Sequence, residues 1–368
     1  MRLRACIVKT GKLLPGLLVA SLRRSTLSTP FGLRRSTHAA ILATLAMLAA
    51  ALPATHGIAR AGALGGPIVM PRPAGPTVAR QARMRPAGNA ACGIKTKVSS
   101  GLYVANDGDS NVLEFLSPYT AAPATINDVT YAVAVAFDDA KNMFVTDYDT
   151  NAVLEFAPPY TGSPIAMTAS DVGKTGLEEP YGIAFDDQKR MYIADYGNNR
   201  VVVLKPPYTQ KKPEQIITNG ISQPIALAFD SSCNLWITNS VGFVSEFPPP
   251  YTGGILNVNV ASPQSLAFDD KDDLFIGSRG NSSNPNGVVF EYPPPYNGLP
   301  IATITNGVDG PFGLAVDVHE NLFVSNYFGS NITEYQAPYA SPPLNTLGPC
   351  GASCDYLYYP ALITFGPK

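Results

Sequence analysis

One sentence of sequence, written six times, constrains this chain more than any other feature. Its clearest copy is PYGIAFDDQKRMYIADYGNNRVVVLKPPY at 180–208. It reads as three short strands, GIAF, MYIAD and RVVVL, separated by the polar turn DDQKR and the loop YGNN and closed by PPY. Each run has four or five β-branched, apolar or aromatic residues and is bounded by Asp, Asn, Gly or Pro, the pattern of strands joined by tight turns.

Three marks locate the other copies. The first strand ends near Phe-Asp, at Phe137-Asp138, Phe185-Asp186, Phe229-Asp230 and Phe268-Asp269, then at Val316-Asp317, with a degenerate sixth copy at Phe365-Gly366. Successive spacings are 48, 44, 39, 48 and 49 residues. The second strand ends in Asp, Asn or Ser, from LYVAN at 102–106 to LFVSN at 322–326. The third is followed by a Pro-Tyr turn ending at Tyr119, Tyr160, Tyr208, Tyr251, Tyr296 and Tyr339. Between each turn and the next Phe-Asp there is room for a fourth strand, such as PEQIITNG at 213–220.

A period in the forties with four strands per unit predicts propeller blades, and the fold class is all-β: a six-bladed β-propeller of four-stranded antiparallel blades. The ends predict how the ring shuts. The first copy opens on a second strand, LYVAN, and the last stops after an inner strand, ALITF at 361–365. Joined, they complete one blade and remove the open edges. Blades sandwiched between neighbours bury both faces, which accounts for strands that are continuously apolar.

IADYGNNRVVVL resembles the NHL repeat, in which a strand ends in Asp and Asn-Arg precedes the next strand. The Phe-Asp hairpin resembles that of the wider six-bladed group containing the gluconolactonase-like enzymes. The resemblance covers 101–368 and implies fold rather than function, since propellers host enzymes and scaffolds alike. It also implies where metal ligands would stand in a lactonase, at the upstream end of each inner strand. The matching positions are Val133, Tyr181, Ile225, Gln264, Phe312 and Ala361, with no Asp or Glu among them. A hard divalent ion wants several oxygen ligands, and this ring offers one amide. Related propeller lyases use histidine. This chain has three histidines, His38 and His56 near the N-terminus and His319 in an inner-hairpin turn on the opposite face, so a histidine site is not expected.

Repetition also sorts the polar residues. Those present in nearly every blade serve shape: Asp138, Asp186, Asp230, Asp269 and Asp317 are expected to accept backbone N–H groups in the hairpin turn. The Pro-Pro-Pro-Tyr runs at 248–251 and 293–296 match a WW-domain ligand pattern but occupy the turn used by every copy. Function is expected where blades differ, in the loops after the second strands around one mouth of the channel. That rim combines Asp107, Asp109, Asp147, Asp149 and Asp195 with Tyr148, Tyr196 and Tyr327, joined by Asn239, Asn326, Gln264, Tyr181 and Phe312. An aromatic and carboxylate or amide rim suits a carbohydrate, a peptide or protein segment, or a Ca²⁺ ion. The expected function is a non-catalytic binding or scaffold propeller with no required cofactor, against the alternative of a metal-dependent lactonase or hydrolase.

Charge and cysteines complete the outline. Residues 1–61 hold nine Lys/Arg and 62–100 hold six more, without one acid. All 28 acidic residues fall in 101–368 against 11 Lys/Arg, a net charge of −17, which argues against nucleic-acid or anionic-membrane partners for the folded part. The apolar run AAILATLAMLAAAL at 39–52 follows Arg34-Arg35 and precedes Ala59-Arg60-Ala61. This is the layout of a signal peptide over 1–61, with an organelle transit peptide as the alternative, then a Pro/Gly/Ala/Arg-rich tether over 62–100. A secreted or periplasmic monomer is expected, without membrane insertion once the leader is removed. Apart from Cys6 the cysteines are Cys92, Cys233, Cys350 and Cys354. A bridge among Cys92, Cys350 and Cys354 would staple the ring where it closes, Cys350–Cys354 being the local alternative and Cys233 remaining reduced and buried.

Overall fold

The computed structural model describes residues 99–367 except 168–171, 173–174, 209–210, 281–284, 340 and 349–355. The leader, the tether up to residue 98, and Cys92, Cys350 and Cys354 lie outside the described residues, and the last two residues assigned to the tether begin the strand Ser99–Asn106.

Six separate four-stranded antiparallel sheets form the blades. Written from the inner strand outward, blade one is Ala132–Phe137, Met143–Asp147, Ala152–Phe156 and Ile165–Met167. Blade two is Pro180–Phe185, Met191–Asp195, Arg200–Leu204 and Gln215–Ile217. Blade three is Pro224–Phe229, Leu235–Asn239, Phe243–Phe247 and Leu256–Asn259. Blade four is Pro263–Phe268, Leu274–Ser278, Val288–Tyr292 and Ala302–Ile304. Blade five is Pro311–Val316, Leu322–Asn326, Asn331–Tyr335 and Asn345–Leu347. The closing blade takes its inner strand, Pro360–Pro367, from the end of the chain and pairs it with Ser99–Asn106, Asn111–Leu116 and Ala124–Ile126. Leu102 stands opposite Phe365 and Val104 opposite Ile363, so the predicted ring closure is found. The inner strands neighbour one another in a complete circle, with Pro360–Pro367 between those of blades five and one. Fourth strands span only three or four residues, which keeps the exposed edges short.

What holds one blade to the next is an aromatic wedge repeated round the ring. A second-strand aromatic of one blade inserts between the inner-strand Phe and the Pro-Tyr tyrosine of the following blade. Tyr103 meets Phe137 and Tyr160, Phe144 meets Phe185 and Tyr208, Tyr192 meets Phe229 and Tyr251, and Trp236 meets Phe268 and Tyr296, with ring centroids 4.7–6.2 Å apart. Phe275 meets Tyr339, and Phe323 meets Tyr119 and Phe365. Edge-on ring pairs at this spacing add roughly 0.5–1.5 kcal/mol each beyond their buried area. In blades one to five the Pro-Tyr hydroxyl also donates to a carbonyl in the inner hairpin turn, at Lys141, Lys189, Cys233, Asp272 and Glu320. The wedge explains the lone tryptophan as core and removes the WW-ligand reading, since Tyr251 is buried between Tyr192 and Phe229.

The hairpin aspartates behave as expected. Asp138, Asp186, Asp230, Asp269 and Asp317 each accept the backbone N–H four residues on, at 2.8–2.9 Å. Asp230 also accepts from Asn234 Nδ2 and the indole Nε1 of Trp236. One expectation fails in this turn: Cys233 is neither reduced nor fully buried. It is half-buried and disulfide-bonded, to a cysteine outside the described residues. It stands in the inner-hairpin turn of blade three, where it is only partly covered.

Candidate functional site

The two ends of the channel are built differently, and the difference starts in the inner strands. Each carries a register shift at its upstream end, between Ala132 and Ala134, Pro180 and Ile183, Pro224 and Leu227, Pro263 and Ser265, and Pro311 and Gly313. A bulge re-aims the residue it releases. The residues released include Val133, Tyr181, Ile225, Gln264 and Phe312, the ring singled out by sequence. Neighbouring backbones crowd here: a Cβ on Gly182 would stand 2.4 Å from the Ile225 carbonyl oxygen, and one on Gly313 would stand 2.5 Å from that of Ala361.

Crowding closes this mouth. Tyr181 of blade two and Phe312 of blade five come from opposite sides of the ring, yet they stack with centroids 6.4 Å apart. Val133, Phe312 and Ala361 are buried in one apolar cluster against which Tyr131, Tyr148, Tyr181 and Tyr327 pack. From this plug the rings continue outward. On one side Tyr148 and Tyr196 flank Tyr181 at 5.6 and 4.9 Å, and Tyr131 adjoins Tyr148 at 5.2 Å. On the other, Tyr327 adjoins Phe312 at 5.3 Å, Tyr359 stacks on Tyr327 at 4.8 Å, and Phe328 and Tyr358 follow. The Arg279 guanidinium lies over Phe328 and Tyr327 at 4.7 and 5.5 Å, a cation–π arrangement.

The polar residues predicted for this rim divide into two groups. Asp147, Asp195, Asn239 and Asn326 are buried, and each accepts the backbone N–H seventeen residues upstream, from Thr130, Glu178, Ser222 and Asp309. Asn106 plays the same part for Tyr358 in the closing blade, and Ser278 reverses it by donating to the Ala261 carbonyl. These groups tie the loop before each inner strand to the end of the second strand. They belong to the scaffold, and the signal was present in the sequence: an Asp, Asn or Ser recurs there in every blade. Asp195 adds a 2.5 Å ion pair with Arg200 and still has its carboxyl pushed up, burial outweighing the Glu178 N–H and the guanidinium. Gln264 is likewise occupied, its amide donating to the Ser262 and Pro263 carbonyls.

The second group reaches the surface. Asp109 and Asp149 are exposed, and Tyr148, Tyr181, Tyr196 and Tyr327 are half-buried. Phe328 and Tyr358, which the sequence reading did not single out, are 47% and 40% exposed and extend the aromatic face. Asp107 is buried beneath them and accepts the Tyr327 hydroxyl at 2.8 Å. Burial pushes its carboxyl up, against the lowering bonds from Tyr327 and Tyr131. The tyrosine hydroxyls shift the same way, again through burial first: Tyr327 is pushed up to about 12, and Tyr131, Tyr148 and Tyr181 higher still. They are neutral hydrogen-bonding groups at physiological pH. Among the described residues no group of three or more His, Cys, Asp or Glu is placed to hold a metal ion. His319 sits in a turn of the other face, as expected.

Below the plug the channel is a cavity of about 620 Å³. Its walls are apolar, with Leu227, Leu266, Leu314, Leu362 and Ile363 among them, and its far rim carries Asp269, Asp270, Asp317 and Glu320. The opening therefore lies on the hairpin-turn face, opposite to the mouth favoured by the sequence reading.

No protein-family model and no curated protein matches the chain. Solved structures do. A protein of unknown function from Bacteroides caccae matches at 12% identity and TM-score 0.55, over 74% of this chain and 100% of that one. Kuenenia stuttgartiensis hydrazine synthase matches at 14% identity and TM-score 0.50, over 67% of this chain and 77% of that one. A streptogramin B lyase structure matches at 11% identity and TM-score 0.49, over 74% of this chain and 90% of that one. At these identities the likeness is one of fold. Among the described residues no helix is long and apolar enough to cross a membrane. The chain is a six-bladed β-propeller, shut by its own last strand.

Proposed function

We propose that this is a non-catalytic binding propeller, presenting the aromatic face at the plugged mouth to a carbohydrate. The observation that carries the reading is the unbroken run of rings from Tyr131 and Tyr148 through Tyr181 and Phe312 to Tyr327, Tyr359 and Tyr358. Half-exposed tyrosines supply apolar faces for sugar C–H groups and hydroxyls for their oxygens, while Asp109, Asp149 and Arg279 ring them with polar partners. The hydrogen bonding and burial of these groups support binding over proton transfer. General acid–base chemistry favours a group poised near the working pH. Here the tyrosines are held well above it, and the structural acids are engaged by backbone N–H groups.

An array of oligosaccharides probed with the full-length protein tests this. A bound oligosaccharide is expected to lose affinity at least tenfold with Tyr196→Ala and with Phe328→Ala. Binding that ignores both substitutions sinks the reading, as does divalent-dependent turnover of a lactone.

A further inference from the structure

We propose that Cys233 is bridged to Cys92, and that residues 93–98 thereby cross the open mouth of the channel as a strap. Cys233 stands in the inner-hairpin turn of blade three, on the open face, and its partner lies outside the described residues. Four cysteines qualify: Cys6, Cys92, Cys350 and Cys354. The path of the chain decides among them. Cys350 and Cys354 fall between Gly348 and Tyr356, and both of these anchors lie at the plugged face. A Cβ on Gly348 would stand 3.4 Å from the Ser330 carbonyl oxygen, in the loop after a second strand, and the Tyr356 carbonyl accepts from Asn106 at the end of another. Each cysteine is two residues from its anchor, a reach of about 7 Å, to which a disulfide adds about 5.5 Å between Cα atoms. Inner strands of six residues at about 3.3 Å each make a blade roughly 20 Å tall, so neither cysteine reaches the open face. Cys6 belongs to the segment read as a cleaved leader. Cys92 arrives on the right side: seven residues on, Ser99 opens the second strand of the closing blade opposite Pro367, at the hairpin-turn end.

The bridge fixes where the intervening residues run. Inner strands follow one another round the ring in the order closing, one, two, three, four, five, so blade three faces the closing blade across the axis. Sheets packed about 10 Å apart put the turn of blade three roughly 25 Å from the second strand of the closing blade in a straight line, and roughly 40 Å by way of the rim. Seven extended residues and a disulfide reach roughly 30 Å. Only the straight path is short enough, and it passes over the mouth of the 620 Å³ cavity. With Tyr181 and Phe312 plugging the other end, both ends of the channel are then closed by the chain itself. The charge of the strap suits the crossing: Lys95 and Lys97, with no acid among 93–98, run over hairpin turns holding eleven Asp and Glu against four Lys and Arg. Forming the bridge takes two protons and two electrons from the Cys92 and Cys233 thiols, and exchange with an external disulfide accepts them, leaving that disulfide as two thiols. Reduction reverses the exchange and frees the mouth.

Mass spectrometry of the full-length protein, digested without reduction, tests the pairing. A peptide joining Cys92 to Cys233 is expected, falling into two on reduction. Cys233 joined to Cys6, Cys350 or Cys354, or recovered as a free thiol, overturns the proposal. The crossing is tested by reach. Deleting Lys95, Thr96 and Lys97 shortens the strap by about 10 Å, to less than the straight span, and should lower the bridged fraction at least tenfold. Bridging at the wild-type level would mean that the segment takes another path. Cover of the mouth is tested by Ala136→Cys on the channel wall. Its alkylation by iodoacetamide, followed peptide by peptide, should be at least tenfold faster when Cys92→Ser is added. Equal rates in the two backgrounds refute the strap.

Discussion

The two faces of this propeller use the same device for opposite ends. On the hairpin-turn face of blades one to five, an Asp after the inner strand gathers backbone N–H groups of its own turn, up to four residues away. On the plugged face, an Asp or Asn at the end of a second strand gathers an N–H from a loop seventeen residues away. The first bond is local and leaves the channel wide; the second pulls a loop inward over the mouth and brings Tyr131, Tyr148, Tyr181 and Tyr327 together. Identical chemistry at different sequence separation thus leaves one mouth open and the other shut. A repeated carboxylate marks architecture at both ends, and specific work falls to what differs between blades.

Removing the cation beside an acid that makes the longer-range tie should give the largest effect. Arg200→Leu leaves Asp195 buried without its cation and is expected to cost roughly 4 kcal/mol, read as a shift in urea midpoint. A negligible shift would mean that Asp195 is a rim group available to ligand after all. On the other face, Asp230→Ala orphans two turn N–H groups and the Trp236 indole N–H, with an expected loss of roughly 3 kcal/mol and altered tryptophan fluorescence. If Asp230→Ala proves harmless while Arg200→Leu does not, the parallel between the faces fails. Phe312→Ala makes the two mouths alike by removing half of the plug. Because neighbouring rings can relax into the gap, the expected cost is about 2 kcal/mol by chemical denaturation.

The smallest effect depends on pH and is confined to the open side. Burial, followed by Asp273 and Asp269, pushes Glu291 up to about 7 from an ordinary 4.5. A carboxyl raised on folding favours the folded state while protonated. Its contribution is complete below about pH 4.5 and is lost as pH rises through 7. Glu291→Gln should therefore match wild type near pH 4 and exceed it at pH 8 by about 1 kcal/mol, after allowance for screening at a partly hydrated site. Urea midpoints across that interval decide it, and a difference that does not vary with pH would count against the assignment.

Much of the fold was legible in the sequence because each blade repeats its own instructions. The Phe-Asp turn, the Pro-Tyr turn and the missing strand at either end gave the number of blades and the closure between Leu102–Asn106 and Ala361–Phe365. The rim was only partly legible. Asp147, Asp195, Asn239 and Asn326 stood at the right strand ends, but their backbone donors lie in the loops before the inner strands, whose path strand patterns do not draw. Phe328 and Tyr358 were not legible because one lies within a loop of ordinary length and the other precedes the closing strand. The pairing of Cys233 was not legible because it depends on where a turn stands in space.

Local chemistry therefore determined the strands, the turns and the count of six, since short apolar runs bounded by Asp, Gly and Pro can only form hairpins, and their recurrence only a ring. The direction in which the channel opens was decided by tertiary structure alone. Tyr181 and Phe312 are 131 residues apart in the chain and meet across the axis because blades two and five face each other, a relation that exists only once the circle is closed.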